Sequence, residues 1–247
     1  MNSWPAHVVT AGNLFCGLSS ILLAMSGRVE AAAWLIVCAV VLDALDGKTA
    51  RLLGAASTFG MHFDSLADLA SFGVAPAVLV YSVAFSAYPI PGLLITFIPM
   101  LCVAVRLARF NASADGSERD FIGLSAPLHA ALAASFVIMN YAVWERVTDP
   151  AVLGVLVLLT SALMVSRLPL PRLPRFTLRE PGFNLAKIAF LVAAFGFAAA
   201  NPARHLFFVL ALVVILGFAA GSVRVLILRG HDLSTGGGAA TIYGGER

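Results

Sequence analysis

Residues 43–68 read DALDGKTARLLGAASTFGMHFDSLAD and join two long apolar stretches of the chain. The segment holds four aspartates, Asp43, Asp46, Asp64 and Asp68. An aspartate at the centre of a membrane helix costs roughly 2.5–3.5 kcal/mol to insert, so aspartates in such surroundings usually serve a function. Their spacing puts the first pair on one face of one helix and the second pair on one face of the next. Because a short turn folds these helices antiparallel, we expect the two pairs to converge.

The composition of the whole chain predicts an all-α protein that crosses the membrane several times. Of the 247 residues, 60% are hydrophobic and 12% are charged, against roughly 25% charged in a soluble domain. Eight apolar stretches are long enough to span a membrane. They lie near 10–26, 31–53, 59–86, 91–111, 122–144, 150–167, 184–200 and 204–228. Turn residues separate several of them, as at Ser26-Gly27 and Asn201-Pro202.

The pattern of spans and loops divides the chain into four expected parts. Residues 1–167 form a six-helix membrane domain that contains the four aspartates, and residues 184–229 form two additional transmembrane helices. Between them, residues 168–183 form a basic, proline-rich cytoplasmic loop, which either reflects topology alone or contacts anionic lipids. Residues 230–247 form a glycine-rich tail that we expect to be disordered.

The basic residues predict the orientation of the protein. With the N-terminus inside, thirteen of the sixteen Lys and Arg fall on the inner side, and Arg28, Arg146 and Arg204 fall outside. Cytoplasmic loops are enriched in these residues, so the aspartates belong to the cytoplasmic face, and we expect a bacterial inner membrane. A net charge of only +3 without a basic stripe argues against nucleic-acid binding. The three cysteines lie in apolar stretches without CxxC spacing, which excludes a zinc site of that kind.

The four carboxylates favour metal-assisted phosphoryl chemistry. In a water-poor pocket they repel one another unless cations lie between them, and all-oxygen sites suit Mg²⁺, Mn²⁺ or Ca²⁺. The same groups are also consistent with a proton relay or an ion pathway. Lys48 and Arg51 favour the first interpretation, because a diphosphate attracts positive charge and a cation pathway does not. Gly47 lets a ligand approach its helix closely, and Ser57 offers a hydroxyl that either binds the ligand or caps the following helix.

This pattern resembles the signature of the CDP-alcohol phosphatidyltransferase family. Its eight fixed positions are Asp43, Asp46, Gly47, Ala50, Arg51, Gly60, Asp64 and Asp68. The resemblance implies a six-helix core, usually homodimeric, that binds a CDP-linked lipid. The same resemblance implies bound divalent metal, which we expect to be two ions of Mg²⁺ or Mn²⁺. It also implies that Asp43, Asp46 and Asp64 are metal ligands and that Asp68 is a ligand or the general base. The implied CDP-lipid site contains Gly47, Ala50, Arg51 and Gly60.

Two further stretches resemble the serine-using branch of this family. Residues 12–17 read GNLFCG, and RLARFN at 106–111 is followed by FIGL at 121–124. In that branch a proline follows directly, whereas here Ser125 takes its place and Pro127 comes later. The resemblance implies transfer of the phosphatidyl group from CDP-diacylglycerol to L-serine, giving phosphatidylserine and CMP. Glycerol 3-phosphate and an inositol compound remain alternative acceptors.

Three kinds of polar residue outside the signature keep two interpretations each. Arg106 and Arg109 either bind the carboxylate of serine or anchor the helix at the inner leaflet and pair with nearby acids. Asn13 either contacts the nucleotide of the CDP-lipid or packs one helix against another. For His129 we expect a hydrogen-bonded place in the core rather than a part in catalysis.

Overall fold

The computed structural model describes the backbone of residues 4–53, 58–112, 123–166, 193–194 and 196–234. Within these ranges, side chains are described only for residues 7–47 and for residues from 58 to 219. Over this part of the chain the structure is helical, which confirms the predicted all-α class. The longer helices are α1 Trp4–Met25, α2 Val29–Leu53, α3 Thr58–Phe85, α4 Pro89–Ala112, α5 Ala126–Trp144, α6 Pro150–Val165 and α7 Pro202–Ser234.

The predicted spans correspond to these helices, with one exception. Helices α1 to α6 match the first six spans, and α7 matches the eighth. Among the described residues, α1, α3, α4, α5 and α7 are long and apolar enough to cross a membrane. Helix α2 is continuous, but the charged residues of the signature interrupt its apolar run, and α6 has only 16 residues. Most of the seventh span, 184–200, and the whole loop 168–183 lie outside the described residues.

The predicted start of the C-terminal tail needs a correction. Helix α7 continues to Ser234, so residues 230–234 are helical rather than disordered. A single glycine at 230 weakens a helix without ending it, and the run of three glycines begins only at Gly236. The remaining tail lies outside the described residues.

The helix ends follow the turn chemistry of the sequence. Gly27 adopts a φ of 79° and ends α1, and the amide of Arg28 donates to the carbonyl of Leu23 at 2.9 Å. Asp149 caps α6, since its carboxylate accepts hydrogen bonds from the amides of Ala151 and Val152. Gly27 and Asp149 therefore mark the end of α1 and the start of α6, at breaks between the predicted apolar stretches.

The core lies around α5, which is buried along most of its length. Helix α2 packs against it and buries several alanines, and Ile36, Phe72 and Leu79 are fully buried in the same core. Helix α7 joins the bundle through Phe207, whose ring lies edge-on to Phe136 at 5.2 Å between centroids. Small residues at these contacts allow close helix packing, as is common in membrane bundles.

Several contacts join the helix ends that carry the signature. The hydroxyl of Ser65 on α3 lies 3.1 Å from the amide oxygen of Asn111 on α4. The ring of His7 on α1 lies 5.6 Å from that of Phe59 on α3. The start of α1, the end of α2, the start of α3 and the end of α4 therefore meet at one end of the bundle, where the aspartates lie.

Candidate active site

Three of the four aspartates meet between α2 and α3. One carboxylate oxygen each from Asp43, Asp64 and Asp68 lies within 4.8 Å of the other two. Asp64 and Asp68 are four residues apart on α3, so they share a face of that helix. Three carboxylate oxygens at this separation can share a hard cation, which fits the donor chemistry of Mg²⁺ or Mn²⁺. The predicted convergence of the two helices on an acidic centre is confirmed by this triad.

Asp46, the fourth aspartate, engages helix α1. Its carboxylate accepts a hydrogen bond from the hydroxyl of Thr10, and both side chains are buried. The sequence predicts Asp46 as a metal ligand together with the other three. The structure brings Asp43, Asp64 and Asp68 together and places Asp46 beside them, bonded to α1.

Helix α1 supplies a second polar side chain to this centre. The amide Nδ2 of Asn13 donates to Oδ1 of Asp68 at 3.1 Å, and Asn13 is only 1% exposed. Thr10 and Asn13 are three residues apart and therefore lie on neighbouring positions of one helical face. Sequence reasoning singled out Asn13 and missed Thr10. The spacing of a polar pair inside an apolar helix is the signal that would have found it.

A close approach of α1 and α3 holds this arrangement. The hydroxyl of Ser71 donates to the backbone carbonyl of Asn13 at 2.9 Å. A Cβ on Gly17 would lie 2.9 Å from the Cα of Ser71, which no ordinary side chain tolerates. Directly after Asp68, helix α3 has a π-helical turn over Leu69–Val74, a feature that often occurs at functional sites. These contacts fix the position of Asp68 relative to α1.

The glycines and the basic residue of the signature lie on the same two helices. Among the described residues, a Cβ on Gly47 would meet no atom of a neighbouring side chain or helix within 4 Å. Gly60 lies in the first turn of α3, four residues before Asp64. Ala50 and Arg51 lie in the last turn of α2, where side chains fall outside the described residues, and Ser57 lies outside them entirely.

Arg106 and Arg109 lie near the end of α4, at the same end of the bundle as the triad. Arg106 is partly buried, and its guanidinium lies 3.5 Å from the carbonyl oxygen of Met164 at the end of α6. Arg109 is exposed. Asp115 and Glu118, the acids that follow these arginines in the sequence, lie outside the described residues.

His129 has the core position that the sequence predicts for it. It is 2% exposed, and its Nδ1 lies 2.7 Å from the hydroxyl oxygen of Thr160. That hydroxyl is also 2.7 Å from the carbonyl of Leu156, to which it donates. The threonine oxygen is therefore the acceptor for Nδ1–H of His129, and the histidine is bound within the core.

An aromatic cluster at the edge of the site was not predicted. It consists of His7, Phe59 and Phe63, and the two phenylalanine rings stack with centroids 6.0 Å apart. Phe59 is largely exposed. The cluster packs the start of α1 against the start of α3 and so supports the helices that carry the aspartates.

Together these features form an acidic centre that could hold a metal ion. The triad concentrates negative charge in a partly buried position, which a divalent cation can neutralise. Such an arrangement suits phosphoryl transfer, where positioning and electrostatic stabilisation supply most of the rate enhancement.

Comparison with known proteins supports this chemistry. The family model described as CDP-alcohol phosphatidyltransferase matches residues 4–166. The chain is 38% identical over 192 residues to the CDP-diacylglycerol–serine O-phosphatidyltransferase of Helicobacter pylori, covering 76% of this chain and 78% of the relative. It is 36% identical over 199 residues to the enzyme of the same name from Mycobacterium leprae, covering 77% of this chain and 65% of the relative.

A third relative comes from an archaeon. The chain is 36% identical over 162 residues to the archaetidylserine synthase of Methanothermobacter thermautotrophicus, covering 65% of this chain and 66% of the relative. The family model spans α1 to α6, and with them the acidic triad and the two polar residues of α1. This protein belongs to the CDP-alcohol phosphatidyltransferase family.

Proposed function

We propose that this protein transfers the phosphatidyl group of CDP-diacylglycerol to L-serine and releases CMP. The acidic triad of Asp43, Asp64 and Asp68, within the family signature, is the observation that carries the proposal. The choice of serine is supported by the names of the relatives, which include serine transferases and an archaetidylserine synthase. Residues 1–167 are the proposed catalytic domain, since the family model covers nearly all of it.

The reaction needs one bond to form and one to break. The hydroxyl oxygen of serine attacks the β-phosphorus of CDP-diacylglycerol, and the bond from that phosphorus to the bridging oxygen breaks. CMP takes the electron pair of the broken bond, and the proton of the serine hydroxyl goes to Asp68. A carboxylate in this role must lie within hydrogen-bond reach of the alcohol.

The other signature residues hold the substrates in this proposal. Asp43, Asp46, Asp64 and Asp68 would hold two Mg²⁺ or Mn²⁺ ions, which neutralise diphosphate charge when bound. Arg51 would bind the diphosphate, with Gly47, Ala50, Ser57 and Gly60 lining the CDP-lipid site. Arg106 and Arg109 would bind the carboxylate of serine, because a guanidinium offers two parallel donors to a carboxylate.

The proposed site opens to the cytoplasm, and the active form is a homodimer. The sequence predicts thirteen of the sixteen Lys and Arg on the same side of the membrane as the aspartates, which supports a cytoplasmic location for the site. Single cysteine labels at positions 28 and 145 should react from outside the membrane, and labels within 168–183 only from inside. The reverse pattern would contradict the orientation, and crosslinking in native membranes tests the dimer.

An acceptor panel tests the proposed function. The purified protein is supplied with CDP-diacylglycerol, Mn²⁺ and one of several alcohols, and release of CMP is measured. We expect turnover with L-serine and formation of phosphatidylserine. Turnover with glycerol 3-phosphate or an inositol compound alone would assign a different acceptor. An absence of CMP release with every alcohol would contradict the enzyme activity itself.

A further inference from the structure

Asn13 holds Asp68 from a helix that carries none of the four signature aspartates. Its Nδ2 donates to Oδ1 of Asp68 at 3.1 Å. The backbone of Asn13 is fixed as well, since its carbonyl accepts from the hydroxyl of Ser71 at 2.9 Å. Ser71 lies three residues after Asp68 on α3, so two hydrogen bonds join the same short stretches of α1 and α3. The relative position of the amide and the carboxylate is therefore defined by backbone and side chain together.

The hydrogen bonding of Asn13 is incomplete in a way that argues against a purely structural role. Its Oδ1 is buried and has no hydrogen-bond partner among the described residues. An unpaired polar atom in the core is unfavourable, and an apolar side chain of similar shape avoids that penalty. Buried polar atoms without partners are rare and call for an explanation other than stability.

A second buried asparagine shows the contrast within the same protein. Asn140 on α5 is 2% exposed. Its Nδ2 donates to the carbonyl of Phe136 at 3.0 Å, and its Oδ1 accepts from the amide and the hydroxyl of Thr148 at 3.3 Å and 3.1 Å. Both ends of this amide are paired, as expected for an asparagine that stabilises the fold. Asn140 therefore serves as a matched control for Asn13.

We propose that Asn13 is a positioning residue that orients the carboxylate of Asp68 for proton transfer from the acceptor alcohol. This inference rests on the proposed function, in which Asp68 receives that proton. Because Nδ2 can only donate, it uses one acceptor position on Oδ1 of Asp68. A carboxylate has about four such positions, so Asp68 can still contact a cation and accept from the alcohol. The sequence left Asn13 as either a nucleotide contact or a packing residue, and the hydrogen bond to Asp68 assigns it a third role.

The expected effect follows from what a positioned base contributes. General acid–base catalysis is worth about 10²–10⁴-fold in rate, and a displacement of about 1 Å can cost about 100-fold. Replacing Asn13 by Leu removes the donor and the unpaired oxygen while keeping a similar shape. We expect Asn13→Leu to lower kcat at least about tenfold, with the KM for CDP-diacylglycerol nearly unchanged. Because Asn13→Leu also leaves the buried carboxylate of Asp68 without this donor, its melting temperature should fall modestly, and kcat is therefore compared per folded molecule.

The test compares Asn13→Leu, Asp68→Asn, the double variant and Asn140→Leu in the full-length protein in detergent micelles. Kinetics are corrected for the folded fraction, measured by thermal unfolding. Asn140→Leu should lower the melting temperature and leave the corrected kcat unchanged. The double variant should be no slower than Asp68→Asn alone, because Asn13 acts through Asp68.

Three results would overturn the positioning role. One is a wild-type kcat in Asn13→Leu. Another is a raised KM for CDP-diacylglycerol with an unchanged kcat, which would make Asn13 a nucleotide contact. The third is a full further loss when Asn13→Leu is added to Asp68→Asn. If the wild type turns over with an alcohol other than serine, the proposed acceptor is wrong, and the same comparison is run with that alcohol.

Discussion

Thr10 on α1 donates its hydroxyl hydrogen to the carboxylate of Asp46 on α2, inside the membrane-spanning bundle. With the bond from Asn13 to Asp68, helix α1 engages one aspartate of α2 and one of α3. Replacing a residue that orients a metal ligand typically lowers metal affinity or activity about 10–100-fold. The polar face of α1 thus contacts the candidate active site through these two hydrogen bonds, although it contributes no carboxylate.

Replacing Thr10 tests this role of α1. Thr10→Val keeps the shape and removes the donor to Asp46, so we expect activity to fall about 10–100-fold. Leaving a buried acceptor unpaired should also lower the free energy of unfolding by about 1–3 kcal/mol. Thr10→Ser keeps the hydroxyl and should retain most activity. Equal activity of Thr10→Val and wild type would show that Asp46 does not depend on this bond.

Loss of a triad carboxylate should be visible without any turnover. Asp43→Asn and Asp64→Asn each remove a negative charge from the group that can hold a cation. We expect weaker Mn²⁺ binding by calorimetry and a fall in activity by orders of magnitude. Glu30→Gln is the control, because Glu30 is exposed in the first turn of α2. Full activity of the wild type after exhaustive chelation would argue against a metal site.

Substitution of Arg106 or Arg109 should change the KM for serine specifically. If either binds the carboxylate of serine, substitution by Lys keeps the charge and loses the two-point contact. The KM for serine should then rise about 10- to 150-fold, as expected for loss of about 1.5–3 kcal/mol. The KM for CDP-diacylglycerol should change little. Normal serine kinetics in the Lys and Ala variants of both residues would exclude them from the acceptor site.

Gly123 provides a stability prediction with a control in the same chain. Its φ is 84°, and a Cβ there would lie 2.6 Å from the carbonyl oxygen of Met164. Gly27 has a similar φ of 79°, but a Cβ there would meet nothing within 4 Å. Gly27→Ala should therefore show only the strain of a left-handed residue, about 1–2 kcal/mol. Gly123→Ala adds steric overlap of about 1–3 kcal/mol, so thermal unfolding should separate the two variants. Equal melting temperatures would contradict the packing of Gly123 against the end of α6.

The helices and the acidic triad were predictable from local signals. Apolar runs and turn residues such as Gly27 and Asp149 define the helix ends within the chain itself. Asp64 and Asp68 share a face because they are four residues apart, and a short connection brings the end of α2 with its two aspartates towards them. Each of these inferences uses only neighbouring residues and the geometry of a helix.

The partners of individual side chains were not predictable in the same way. Asp43 and Asp46 are three residues apart, so they point about 60° away from each other around α2. Which of them faces α3 and which faces α1 depends on how three helices pack. The bond from Asn13 to Asp68 and the contact from Arg106 to Met164 likewise join residues far apart in sequence. Such contacts follow from the tertiary arrangement and leave no local pattern.

The most direct test of the central claim follows an oxygen atom through the reaction. Serine labelled with ¹⁸O in its hydroxyl group is supplied with CDP-diacylglycerol, Mn²⁺ and the purified protein, and both products are analysed by mass spectrometry. Attack of the serine hydroxyl on the β-phosphorus predicts ¹⁸O in phosphatidylserine and none in CMP. Release of CMP without labelled phosphatidylserine would contradict transfer to serine.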